Sequence, residues 1–348
     1  MNPTVKSPRK RTRRIWVLRL LAALALAVGA DYLLFPLLTH PSGPPLNRGE
    51  NGLWLRHTWY RGRWTQPEME ALARRLRDGQ IRYAYFHVRH VQADGSLRYR
   101  EAASARRLLS ALRRAAPGVR AIAWVYAGSD GRGDLPVVDP ARAEVRRGMA
   151  ETACWLVQEC GFDGVQWDYE VCRDGNPALP ALLRDTRQAW LQAGLASRQP
   201  LLSVATALWA PPGFRRWGWS DGYFRAVARE CDQLTVMGYD SGMYLPRAYA
   251  WLIGEQVSHV TRAASEANPE CRVLIGVPTY AWSGPSHHAY AENVRMALLG
   301  VRNGLAAPET HRAAFAGVAL FADYTTQPEE WQQYQQLWLP PPPQGRRP

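Results

Sequence analysis

Residues 161–170 read Gly161-Phe162-Asp163-Gly164-Val165-Gln166-Trp167-Asp168-Tyr169-Glu170, and their pattern decides the fold. Successive strand side chains point to opposite faces, so Val165, Trp167 and Tyr169 share one parity and Gln166, Asp168 and Glu170 the other. The stretch reads as a buried strand ending in acid. Two carboxylates on a buried face are costly without partners, so a fold that keeps Asp168 and Glu170 there uses them or hydrogen-bonds them heavily.

Working outward, strand and helix patterns alternate along the chain. Apolar, β-branched or aromatic runs occur at 53–60, 82–91, 120–127, 164–170, 201–208, 233–240, 272–280 and 316–322, most of them bounded by Gly, Pro, Asp or Ser. Segments with apolar spacing of three and four separate them, at 66–78, 102–116, 141–160, 178–197, 222–231, 245–267 and 288–303, and 328–339 closes the series. Eight βα units in series specify an α/β fold, a closed (β/α)8 TIM barrel, more readily than an open sheet. The chain has 348 residues, and one such barrel of about 250 residues with an N-terminal extension accounts for it.

The ends are different in kind. Residues 1–14 form a basic region with Lys6, Arg9, Lys10, Arg11, Arg13 and Arg14, followed by an apolar run over 15–38 broken by Arg19, Asp31 and Pro36. That run is long enough for an uncleaved transmembrane anchor, with the basic cluster held in the cytoplasm and the barrel outside it. Asp31 speaks for the alternative, a signal peptide cleaved after Val28-Gly29-Ala30, because a charge near the membrane centre costs about 3 kcal/mol. The apolar stretch 32–38 favours the anchor. Residues 39–50 read as a Pro-rich linker, residues 51–339 as the barrel and residues 340–348 as a disordered tail.

The net charge of +13 carries no nucleic-acid signature, because seven of the basic residues, Lys6 to Arg19, belong to the targeting segment and the rest are scattered in pairs such as Arg74-Arg75. The five cysteines show no CxxC or Cys/His metal spacing, so neither a metal nor another cofactor is expected. Cys231 and Cys271 each precede a strand, which leaves open a disulfide or two buried thiols. A monomer is expected.

In a barrel of this kind the loops at the carboxyl ends of the strands form the site. Those ends carry His57, Trp59 and Tyr60, then His87 and His90, then Trp124, Tyr126 and Asp130, and further on Trp209, Tyr239-Asp240, Tyr280 and Trp282, and Phe321 with Asp323. Aromatics and carboxylates on one rim suit a carbohydrate, since ring faces stack on sugar C–H faces and acids bond hydroxyls and donate protons.

Residues 163–170 also resemble the Asp-Gly-x-Asp-x-Asp-x-Glu pattern on the fourth strand of the family 18 glycoside hydrolases, the chitinase-like barrels. Val236-Met237-Gly238-Tyr239-Asp240 resembles the sixth-strand Met-x-Tyr-Asp of that family and Ile275-Gly276-Val277-Pro278-Thr279-Tyr280 its seventh-strand Gly-x-Pro-x-Tyr. The resemblance implies cleavage of an N-acetylhexosamine-containing glycan, with Glu170 as general acid. It implies that Asp168 orients the 2-acetamido group, that Tyr239 hydrogen-bonds the acetamido oxygen and that Asp240 binds hydroxyls. Asp168 is expected to raise the Glu170 pKa by like-charge coupling. Gln166 stands where the family has its middle Asp and is expected to donate a hydrogen bond to Asp168; Phe321 stands where the family has Trp and offers a smaller stacking surface. Trp124, Trp209 and Tyr280 join Asp240, Gln166 and Phe321 as expected substrate-binding residues.

Two other readings remain. Gln166 and Phe321 fit a non-catalytic carbohydrate-binding barrel, and Asp240 or Asp323 could serve as the second carboxylate of an ordinary two-acid hydrolase.

Overall fold

The computed structural model describes residues 8–43, 45–128 and 135–339; Asp130 and the 340–348 tail lie outside them. Eight parallel strands close into a barrel in sequential order: β1 (Asn51–Leu55), β2 (Ile81–His90), β3 (Arg120–Ala127), β4 (Gly164–Tyr169), β5 (Leu201–Thr206), β6 (Gln233–Val236), β7 (Arg272–Pro278) and β8 (Phe315–Phe321). The long helix α1 (Pro8–Leu38) precedes β1, and the short α2 (His57–Tyr60) follows it. The outer layer is α3 (Gln66–Asp78), α4 (Ala102–Ala115), α5 (Ala143–Trp155), α6 (Ala178–Gln192), α7 (Asp221–Ala228), α8 (Pro246–Ala267), α9 (Val294–Ala306) and α10 (Pro328–Trp338). A π-helical turn, Leu156–Cys160, extends α5.

The alternation read for 164–169 holds in space. Val165 and Trp167 point out to the helical layer, where Trp167 is fully buried and its indole N–H donates to Thr186 Oγ1 of α6 at 3.3 Å. Gln166 and Asp168 point into the barrel. Ahead of them Asp163 staples the strand's start, accepting from the Ala121 backbone N–H at 2.8 Å and from Arg113 at 2.9 Å.

Several strands end sooner than their composition suggests. The first stops at Leu55, so His57, Trp59 and Tyr60 belong to α2 and the inward aromatic is Trp54 instead. The fifth ends at Thr206 and the sixth at Val236, and Met237–Asp240 follows as irregular backbone with Asp240 in the left-handed region at φ 55°.

Residues 39–50 do not form a free tether, although Pro and Gly suggest one. Ser42 N–H donates to Asn303 Oδ1 at 3.0 Å, Arg302 Nε donates to Gly43 O at 2.7 Å, and Asn47 accepts from Asn51 at 2.9 Å. Residues 31–38 are likewise held on the barrel: Asp31 takes two hydrogen bonds from Arg247 Nε at 2.9 and 3.1 Å, and Phe35 lies under the same guanidinium, 4.3 Å from its ring centroid. The part of the apolar run without barrel contacts is therefore 15–30, shorter than the 15–38 read from composition. Cys231 and Cys271 stand side by side as buried free thiols, with sulfurs 4.0 Å apart.

Candidate active site

The floor of the barrel mouth is a layer of rings. Trp54 packs edge-on against Tyr239 and Phe321, with centroids 6.0 and 5.6 Å away, and Tyr239 stacks on Phe321 at 4.6 Å. Trp124 closes the other side, stacked on His87 at 4.1 Å. Gly276 makes room for this layer: a Cβ there would come within 3.0 Å of the Tyr239 ring and 2.6 Å of Val236 O. Burial holds His87 neutral, with its pKa pushed down to about 3 and the Arg89 charge adding to the effect.

The acids stand on this floor. Asp168 is buried, at 2% exposure; one carboxylate oxygen accepts from the Trp124 indole N–H at 2.8 Å, and the other has no hydrogen-bond partner among the described residues. Burial pushes its pKa far above the ordinary carboxylate range, the Glu170 charge adds to that, and the Trp124 bond opposes it. Glu170, one residue past β4, is reached by solvent at the mouth and accepts from the Tyr126 hydroxyl at 3.3 Å. Its pKa is also raised, first by the protein mass around it and then by Asp240, against the Tyr126 bond. The expected direction of coupling is thus altered. Asp240 is the charge that lifts Glu170, and Glu170 lifts Asp168, the more deeply desolvated of the two and so the better holder of a shared proton. Gly128, at φ 142°, lets the end of β3 pass close to this turn, since a Cβ there would meet Glu170 N at 3.0 Å.

The remaining expected residues divide. Tyr280 donates to Asp240 Oδ1 at 2.7 Å, so both line the mouth between β6 and β7. Tyr239 lies beside Asp168 electrostatically, and its hydroxyl makes no hydrogen bond among the described residues, which leaves it free to donate to a ligand.

Gln166 differs from expectation in two ways. It is fully buried below the floor, and its amide donates to Ser203 Oγ at 3.1 Å and Thr235 Oγ1 at 3.2 Å, not to Asp168. Its carbonyl accepts from the Trp54 indole at 2.8 Å. With every polar atom engaged and no exposed surface it cannot touch substrate. Trp209 is also misplaced by the reading of β5 as running to residue 208: it has left the barrel, stacks on His259 of α8 at 3.7 Å and donates to Asp221 at 3.3 Å, in the outer layer. Asp323 is paired with Arg75, which removes it as a second carboxylate. Trp54 is the floor residue that the sequence reading passed over, and the parity of a strand ended at Leu55 would have found it.

No family model and no curated protein matches the chain. Solved structures do. The spore cortex-lytic enzyme SleL of Bacillus megaterium QM B1551 superposes with a TM-score of 0.56 at 15% identity, over 86% of this chain and 76% of that one. A plant class V chitinase mutant from Cycas revoluta, in complex with (GlcNAc)3, gives 0.57 at 12% identity over 83% and 99%. A chitinase-like agglutinin from Robinia pseudoacacia gives 0.54 at 13% over 83% and 99%. Hydrolases and a lectin share the architecture, so it does not by itself decide between turnover and binding. The chain is a divergent example of the chitinase-like family 18 fold.

Proposed function

We propose that this protein is a glycosidase that cleaves an N-acetylhexosamine-containing glycan at the cell envelope by substrate-assisted acid catalysis. The observation that carries the reading is the pair Asp168 and Glu170 at the end of β4, both with pKa raised by burial and Asp168 with one oxygen lacking a partner, beside a Tyr239 hydroxyl that has none among the described residues. A lectin has no use for two neighbouring acids that both hold protons above the ordinary carboxylate range; an acid catalyst does.

In the resting protein the shared proton sits on Asp168. Entry of the sugar brings the acetamido N–H to the Asp168 oxygen that lacks a partner, which stabilises the carboxylate and leaves the proton on Glu170. The acetamido carbonyl oxygen attacks the anomeric carbon as the C–O bond to the leaving group breaks, and that oxygen takes the Glu170 proton. Tyr239 steadies the acetamido oxygen. Water then adds to the anomeric carbon, returns its proton to Glu170 and reopens the oxazolinium ring, with retained configuration. Asp240 with Tyr280 would hold hydroxyls, the rings of Trp124 and Phe321 would stack the sugar, and Gln166 would support the floor through Trp54.

The test is turnover of N-acetylglucosamine oligomers and purified cell wall by the wild type and Glu170→Gln. Loss of the general acid should lower kcat by about 10²–10⁴-fold with binding retained. Equal turnover by the variant would sink the role given to Glu170.

A further inference from the structure

The path of α1 fixes how the barrel would meet a membrane. In each βα unit the helix runs back against the strand, so the first turns of α8 and α9 stand at the carboxyl-terminal, site-bearing rim. Asp31 pairs with Arg247, the second residue of α8, and Tyr32 stacks at 4.5 Å on Tyr290 in the loop before α9. Arg295, the second residue of α9, donates to Pro36 O at 2.9 Å, and Arg302 and Asn303, near that helix's far end, hold Gly43 and Ser42. From 31 to 43 the chain therefore runs from the site-bearing rim toward the opposite end. Read backward, α1 leaves the barrel at the rim that carries Glu170. Ile15–Ala30 then extends for about 24 Å at 1.5 Å per residue, with every side chain exposed and high hydropathy, and the Arg-rich sequence lies beyond it.

The same rim carries the exposed aromatics. Phe214 and Trp217 lie in the loop after β5, Tyr244 in the loop after β6, Trp282 and Tyr290 in the loop after β7. Among the described large apolar side chains exposed after residue 38, only Leu191 and Trp251 lie away from the loops at this end. Several are braced by ring partners while facing outward: Tyr244 on His288 at 3.5 Å and Trp282 on Tyr280 at 5.3 Å. Arg215 and Arg216, between Phe214 and Trp217, have no carboxylate partner among the described residues. Amphipathic rings beside unpaired guanidinium groups match the boundary between lipid headgroups and acyl chains.

We propose that the site-bearing rim of the barrel rests on the bilayer that α1 enters, with the loops after β5, β6 and β7 in the headgroup layer. The mouth then opens at the membrane surface, and the substrate is a glycan held there, such as one carried on a lipid. This consequence for the substrate rests on the glycosidase reading; the orientation does not.

The test uses the full-length chain, made by cell-free synthesis into nanodiscs whose phospholipid carries a photoactivatable diazirine, with adducts mapped by mass spectrometry. Adducts on Phe214–Trp217, on Tyr244 and on Trp282–Tyr290, besides Ile15–Ala30, are expected. Adducts confined to α1, or found at the amino-terminal ends of the strands, would overturn the orientation; so would protection of these aromatics by N-acetylglucosamine oligomers without any lipid adduct, which would make them sugar contacts. Arg247→Glu, which breaks the Asp31 pair, should lower rim adducts roughly tenfold and leave α1 adducts intact. Should that variant misfold, the exposed pair Phe214→Ser and Trp217→Ser serves instead, losing rim adducts with an unchanged thermal midpoint. Cleavage of a lipid-linked oligosaccharide should fall in these variants relative to a soluble one. Rim adducts with no turnover of either substrate would discard the glycosidase reading while leaving the orientation standing.

Discussion

Asp240 shows how one side chain can serve two ends. Its backbone occupies the left-handed region, φ 55°, which places the carboxylate under the Tyr280 hydroxyl at the mouth, and its charge raises the Glu170 pKa. Strain of this kind in a non-glycine residue persists where surrounding structure holds it, often at functional sites. Asp240→Asn keeps the shape and removes the charge, so the Glu170 carboxyl loses its proton at lower pH. The alkaline limb of kcat reports loss of the catalytic proton in the substrate complex, where Glu170 holds it. That limb should move to lower pH in Asp240→Asn, while KM rises from the weakened hydroxyl contact. A rate profile with an unmoved alkaline limb would mean that Asp240 does not act on the acid.

At the scale of the element, β4 holds both the legible and the illegible parts of the site. Asp168 and Glu170 were readable because period-two alternation places them with Gln166 on one face, and the family pattern gives them roles. What Gln166 touches was not readable, because its partners Trp54, Ser203 and Thr235 come from three other strands. Trp209 was misread for a related reason: composition continues past Thr206, but the pleat does not, and without the pleat the alternation no longer says where a side chain points. The Gln at 166 is built into the interior by its bonds to Trp54, Ser203 and Thr235. Gln166→Asp restores the family's residue type, yet it withdraws two donors, shortens the reach to the Trp54 indole and puts a carboxylate in a dry layer. Unfolding in urea should show a loss of about 3 kcal/mol or more at neutral pH, with a smaller loss in acid where the new carboxyl protonates. A loss under about 1 kcal/mol would mean that the interior holds compensating polar groups.

For the whole molecule, the stretch between membrane segment and barrel changes meaning once its partners are known. Pro and Gly content makes 39–50 look like a tether, and nothing local announces that Arg295, Arg302 and Asn303 bind it from far along the sequence (separations of 256 for Arg295 to Thr39, 259 for Arg302 to Gly43 and 261 for Asn303 to Ser42). Long-range partners of this sort leave no periodic trace. Residues 31–43 therefore belong to the barrel's fold whether or not the chain is cleaved after Ala30, and they transmit the direction of α1 to the rim. Phe35, at 8% exposure, is the apolar side chain that seats the strap against α8. Phe35→Ala should destabilise the full-length chain by about 2 kcal/mol, less than a central core phenylalanine because the site lies at the barrel's outer edge. A thermal midpoint equal to wild type would show that residues 31–43 add nothing to the barrel, and with it the rigid coupling between α1 and the site-bearing rim would go.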